Sequence, residues 1–368
     1  MGVVILFLMG IFSVNGWAEV KNGAKPQNGV WDFRLQPVWE AFNAKDEALA
    51  EVSRLRVDDN GKIFVFDSKH FKYFVFSPEG KFLYSFGKRG EGPGEYKRGD
   101  EFFLIGRYLV VADFGILHFF FKDGKYEKSI NLGGRYFPRG FLTENRVLIV
   151  QPEDSKTKNT EKIKLYDIPT KQWTNIKEIE SEKPLTASTS NIAVVIKDAN
   201  TTPMLILINE GDKLYFGQNG KYYIQKTGLD GKLISSFSIQ GTEPKKISET
   251  AKRKRFESIK LNGSPMPKEL VDQMVKNMSD QCTYFSGLRI DESGLIYVYL
   301  TDPTNETGQE LDIFSPDGKY LYHAAIKLPG GLKLFDPPVF KGNYLYVFVE
   351  DEEGEGKLVK YKITKPSV

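Results

Sequence analysis

Apolar residues in this chain come in short runs, each opened by a polar turn and most closed by a polar residue. Asp59-Asn60-Gly61-Lys62 leads into Ile63-Phe64-Val65-Phe66-Asp67. The arrangement returns at 108–113, 147–151, 214–218, 295–299 and 344–348, which makes six copies. Runs of this length, rich in β-branched and aromatic residues and bounded by Gly, Asn and Asp, predict strands rather than helices. A second turn follows about 20 residues after the first, as in Ser77-Pro78-Glu79-Gly80-Lys81, Lys122-Asp123-Gly124-Lys125 and Ser315-Pro316-Asp317-Gly318-Lys319. Asp-Gly and Pro-Asp-Gly are hairpin chemistry, because glycine supplies the positive φ that tight turns need. Each repeat therefore reads as two linked hairpins, a four-stranded antiparallel sheet.

Successive first turns lie 45, 39, 66, 83 and 48 residues apart. The longest interval holds an insertion at 243–281, between the fourth and fifth repeats. It reads as two helices, with Leu270, Met274 and Met278 on one face and Pro265 and Pro267 breaking the segment before the second helix. The sixth copy lacks a second turn, and its third strand (358–363) runs into the C-terminus. The strand expected to complete it is Val30-Trp31-Asp32-Phe33-Arg34-Leu35, which would close a ring of six and remove its open edge. The fold class expected is all-β, a six-bladed β-propeller, favoured by this strand accounting over a sandwich or barrel.

Composition narrows the function. Lysine plus arginine number 51 and aspartate plus glutamate 48, so the net charge is +3, without the basic excess usual in a nucleic-acid binder. One cysteine, Cys282, excludes an internal disulfide, and three histidines speak against a histidine-rich metal site. Residues 3–14 form an apolar run ending near Gly16 and Ala18, which reads as a signal peptide over 1–18, although the usual positive opening segment is missing. The run is short for a bilayer span. The expectation is a secreted or periplasmic protein, not membrane-spanning and monomeric, with the propeller occupying 19–368.

The strand and turn residues just quoted, together with Phe86-Gly87-Lys88-Arg89-Gly90-Glu91-Gly92-Pro93-Gly94-Glu95-Tyr96, resemble the bacterial six-bladed β-propeller proteins of the NHL-like and TolB-like kind. The resemblance is dense over 52–125 and 286–323. It implies an exported propeller and carries no agreed catalytic residues.

Candidate chemistry lies on the face where blade-to-blade crossovers emerge. Arg89 and Arg98 flank the first crossover, and Arg135 and Arg139 lie in the second. The loops after each second strand begin with residues such as Asp67, Asp113 and Glu350 on the same face. Arginines there suit a carboxylate, sulfate or phosphate through paired N–H donors. Internal salt bridges between solvated loops are the simpler alternative. Asp67 and Asp113 recur at one repeat position. They fit either part of a single Ca2+ site, for which no calcium-loop motif is present, or acceptors for backbone N–H groups at a strand end, and the second is favoured. Gly90-Glu91-Gly92-Pro93-Gly94 lacks the ending of a phosphate loop and reads as a tight crossover. The basic run Lys252-Arg253-Lys254-Arg255 reads as a solvated helix face. The function expected is non-enzymatic binding of an anionic ligand or a partner protein on the crossover face. The rival is a metal-dependent, lactonase-like hydrolase or lyase at the channel mouth, an analogy at the level of fold.

Overall fold

Each polar turn joins the innermost strand of a four-stranded antiparallel sheet to the second, and in a computed structural model of the chain six such sheets form a β-propeller. The structure describes residues 19–364 except 45–46, 135, 155–158, 191, 197–200, 262–263, 305–307, 335–336 and 352. The expected signal peptide and Arg135 therefore lie outside the described residues.

Blade 1 runs Val52–Val57, Ile63–Asp67, Lys72–Phe76 and Phe82–Phe86 from the channel outward. Blade 2 is Phe102–Ile105, Tyr108–Asp113, Ile116–Phe121 and Tyr126–Asn131. Blade 3 is Phe137–Thr143, Arg146–Asp154, Asn159–Asp167 and Gln172–Ser181. Blade 4 is Leu205–Glu210, Lys213–Gln218, Tyr223–Gly228 and Leu233–Ile239. Blade 5 is Phe285–Ile290, Ile296–Leu300, Gly308–Phe314 and Tyr320–Lys327. Blade 6 splits its innermost strand into Lys333–Leu334 and Val339–Lys341, continues through Tyr344–Glu350 and Gly356–Lys362, and ends on Gln36–Ala41.

The second strands are buried on both faces because the apolar cores lie between blades. One such core joins blades 5 and 6 through Tyr297, Leu311, Val347 and Tyr361, and another joins blades 1 and 2 through Phe64, Tyr73, Phe102 and Val111. The recurring turn glycine has a part in this packing. Gly80 of blade 1 has φ +80, and a Cβ there would meet the Trp39 ring of blade 6 at 2.6 Å. Gly318 of blade 5 has φ +85, and a Cβ there would meet the Phe237 side chain of blade 4 at 2.8 Å. The second turns of blades 1, 2 and 5 thus rest on an aromatic residue of the preceding blade's outermost strand, where only glycine combines the left-handed backbone with the space.

The closure of the ring corrects the expectation for the N-terminal segment. The strand that completes blade 6 is Gln36–Ala41, antiparallel to Gly356–Lys362, not residues 30–35. Val30–Trp31 instead adds to blade 5, parallel to its outermost strand, and Arg34 at φ 45 breaks the extended run. Residues 30–35 still lie against the C-terminal strand: Trp31 Nε1 donates to the Thr364 carbonyl at 2.8 Å, and Trp31 and Phe33 enter the core between blades 5 and 6. Further upstream, Glu19–Asn22 pairs in parallel with the outermost strand of blade 4.

The insertion contains α1 (Glu249–Glu257) and α2 (Lys268–Asn277), joined by a two-residue-per-strand hairpin. Ser248 caps α1, its side chain accepting from the Ala251 N–H. The apolar stripe finds its cover within the chain. Leu270, Met274 and Met278 pack with Phe256 and with a hairpin, Leu185–Ser188 and Ala193–Ile196, carried by the connection between blades 3 and 4. Lys252 is buried, donating to the Met278 carbonyl at 2.8 Å and to Asp280, while Arg253 reaches Asp272 of α2 at 2.6 Å. Half of the basic run therefore fastens the insertion. Among the described residues no helix is long and apolar enough to cross a membrane.

Candidate functional site

The strand-end aspartates are spent on the backbone. Asp67 is fully buried, and its oxygens accept from the N–H groups of Ala50 (2.7 Å), Glu51 (3.3 Å), Lys69 (3.0 Å) and His70 (3.0 Å). Burial pushes its carboxyl upward, but these N–H donors and the His70 side chain outweigh burial and hold it below the usual carboxylate range. Asp113 repeats the arrangement in blade 2, accepting from the N–H groups of Lys97 (2.7 Å) and Arg98 (3.1 Å). Each carboxylate pins the segment arriving at its own blade, the favoured sequence reading.

Pinning Arg98 by its backbone fixes the start of a cavity. A space of about 540 Å³ opens on the crossover face between blades 2 and 3, lined among others by Arg98, Glu101, Phe114, Tyr136 and Arg139. Arg98 belongs to the crossover entering blade 2, Phe114 to the loop after that blade's second strand, and Arg139 to the innermost strand of blade 3. Phe114 is 70% exposed, sits at φ 43, and lies under the Arg98 guanidinium at 5.4 Å. An exposed aromatic residue in a left-handed turn is costly to keep, and such positions cluster at binding sites.

The charges around the cavity are unequally matched. Arg98 donates from Nη2 to Asp100 at 3.1 Å. Glu101 is approached by Arg54 at 3.6 Å and Arg56 at 3.7 Å, both from blade 1. Arg139 has no carboxylate partner among the described residues, and its Nε is buried without a hydrogen-bond acceptor. A buried donor left unmet costs about 1–3 kcal/mol, so this guanidinium is positioned for an acceptor that the described residues do not supply.

Of the residues singled out in the sequence, Arg98 and Arg139 line this cavity, and Asp113 stands between its lining residues Ala112 and Phe114 without lining it. Arg89 turns elsewhere, its guanidinium 5.4 Å over Phe71. Asp67 belongs to the equivalent position one blade away, and Glu350 ends the second strand of blade 6 opposite Gly356 and Lys333. Glu101, Phe114 and the blade 1 arginines were not foreseen. Phe114 had a signal in Asp113-Phe114-Gly115, a large apolar residue inside a two-strand turn.

Residues 42–216 match the DUF5128 family, described as a 6-bladed beta-propeller. A Bacteroides fragilis protein designated as exported is similar in structure, with a TM-score of 0.55 at 15% identity over 95% of this chain and 100% of that one. A member of the duf4221 family from Bacteroides vulgatus has a TM-score of 0.53 at 12% identity, over 91% of this chain and 99% of that one. No curated protein matches the chain. At these identities the likenesses speak to the fold.

Proposed function

We propose that the protein is an exported, non-enzymatic propeller that binds a small anionic ligand in the cavity between blades 2 and 3. The observation that carries this reading is Arg139, a guanidinium without a carboxylate partner among the described residues and with a buried, unmet Nε, facing a cavity that also holds Arg98 and Phe114. Guanidinium groups suit carboxylate, sulfate or phosphate oxygens, and Phe114 offers an apolar face to the rest of the ligand. Cationic walls favour an anion over a metal ion, which is what sets this reading above a metal-dependent hydrolase. Export rests on the apolar run at 3–14 followed by Gly16 and Ala18, and the designation of the Bacteroides fragilis protein runs the same way.

Calorimetric titration with sulfate, phosphate and aromatic carboxylates tests the binding. At least one class is expected to bind, and Arg139→Gln is expected to weaken it roughly tenfold or more, the scale of a charge-assisted hydrogen bond. Equal affinity in the variant would overturn the reading. Mass spectrometry of the exported protein is expected to give Glu19 as its first residue.

A further inference from the structure

A second space, of about 390 Å³, lies on the channel itself, walled by the innermost strands of blades 1 to 5. Arg56, Arg139 and Arg289 line it, and Arg139 also lines the mouth cavity. The strand register sets the three at one level. Arg56 pairs with Phe64 and Arg289 with Tyr297, each the second residue of its blade's second strand. In blade 3 the ladder slips between Pro138, paired with Ile149, and Gly140, paired with Leu148, the second residue of the run at 147–151. Arg139 is the extra residue of that bulge, and a bulge re-aims a side chain. The three guanidiniums thus come from alternate blades and approach the channel from three sides.

The sequence carries a trace of this arrangement. Leu55-Arg56-Val57-Asp58 and Leu288-Arg289-Ile290-Asp291 stand before equivalent turns. The aspartates are accounted for by those turns: Asp58 accepts from the N–H groups of Asn60 and Lys62, both at 2.9 Å, and Asp291 from Ser293 (2.9 Å) and Leu295 (3.1 Å). The turns do not account for the arginines. Arg56 is matched by Glu101 and by the Phe102 carbonyl at 3.2 Å. Arg139 and Arg289 have no carboxylate partner among the described residues. Glu210, on the same space, is engaged by the Tyr215 hydroxyl at 3.1 Å. Ordering two long cations in a narrow channel costs side-chain entropy and desolvation that a ligand rich in anionic oxygens offsets.

We infer that the channel holds a compact polyanion, with several neighbouring anionic oxygens, on Arg56, Arg139 and Arg289. This rests on the mouth-site reading insofar as Arg139 serves both cavities. The test is titration of inorganic phosphate, tripolyphosphate and citrate into the full chain and into R98Q and R289Q. At least one of the two polyanions is expected to bind the native chain tenfold or more tightly than phosphate. R289Q is expected to remove that advantage and leave phosphate binding unchanged, whereas R98Q weakens phosphate. R289M, neutral with a similar apolar stem, reads the same quantity if R289Q does not fold. A polyanion advantage that survives loss of Arg289, or no advantage in the native chain, would overturn the inference. If R98Q has no effect while R289Q removes the advantage, the mouth site fails and the channel site stands.

Discussion

The two halves of the ring are fastened differently. The N-terminal segment adds a strand to the outermost strand of blade 4 and of blade 5 in turn and supplies the outermost strand of blade 6. Among the described residues, the outermost strands of blades 1, 2 and 3 pair with no further strand, so their edges are left bare of backbone partners. They manage them otherwise: blade 1 stops after five residues, and the ten-residue edge of blade 3 carries Lys177, Glu178 and Glu180. The candidate anion site lies in the bare half. Backbone pairing closes one side of the propeller, while the other relies on side-chain packing between blades and on aspartates that pin the crossovers. Its cavity wall is built from those crossovers and loops.

The sharpest way to break this contrast is to remove the strap's anchor. Trp31 is buried between blades 5 and 6 and bonded to the Thr364 carbonyl. Trp31→Ala is expected to cost about 3–5 kcal/mol in denaturant unfolding, the usual scale for emptying a large aromatic site. A loss below about 1 kcal/mol would mean that the strap merely lies on the surface.

Asn22 comes next. Its amide donates to the Ser238 carbonyl of blade 4 (3.1 Å) and the Gly318 carbonyl of blade 5 (2.9 Å), and its oxygen accepts from the Tyr320 N–H (2.9 Å). Asn22→Ala is expected to cost about 1–3 kcal/mol. Hydrogen exchange should accelerate at Tyr320 and leave blade 2 unchanged.

Two histidines give the halves opposite pH dependence. A hydrogen bond to Asp312 holds His323 of blade 5 above the usual histidine range, although burial works against it. Its stabilising contribution is complete below about pH 6.5 and is lost as pH rises through the raised value. Burial pushes His118 of blade 2 below that range, with Asp113 opposing. Its contribution is present above about pH 6.5 and is lost as pH falls through the lowered value. The melting-temperature difference between native chain and His323→Gln should therefore be largest in acid, and that for His118→Gln largest at alkaline pH. Parallel slopes would contradict the assignment.

The smallest effect is expected on the bare edge. Leu83 of blade 1's outermost strand is 42% exposed, and Leu83→Lys should change stability by no more than about 0.5 kcal/mol.

What was legible in the sequence follows from what repeats. Six polar turns and their apolar runs gave the blades, because second strands are buried on both sides and must read as continuous apolar segments. The closing strand was misplaced by a real signal. Trp31, Phe33 and Leu35 alternate because they face the core between blades 5 and 6, yet burial does not require pairing with the last strand. The true closing strand, Gln36–Ala41, is disguised by Pro37, which an edge strand tolerates beside the bulge between Pro37 and Trp39. The two halves of the insertion's core lie far apart in the chain, so its cover by the Leu185–Ser188 hairpin left no local pattern to read. At the site, Arg98 lies on the crossover where its sequence position put it, whereas Arg139, expected in the second crossover, is the bulge residue of blade 3's innermost strand, a shift of register that no local pattern announces. Arg89 did not join them; its guanidinium lies over Phe71 instead.

Crystals of the native chain soaked in selenate, read by anomalous diffraction, would test the anion site most directly. The expected result is a selenium peak within hydrogen-bonding distance of the Arg139 guanidinium, absent in Arg139→Gln crystals treated alike. Selenium confined to surface lysines, with the space beside Arg139 empty, would contradict it.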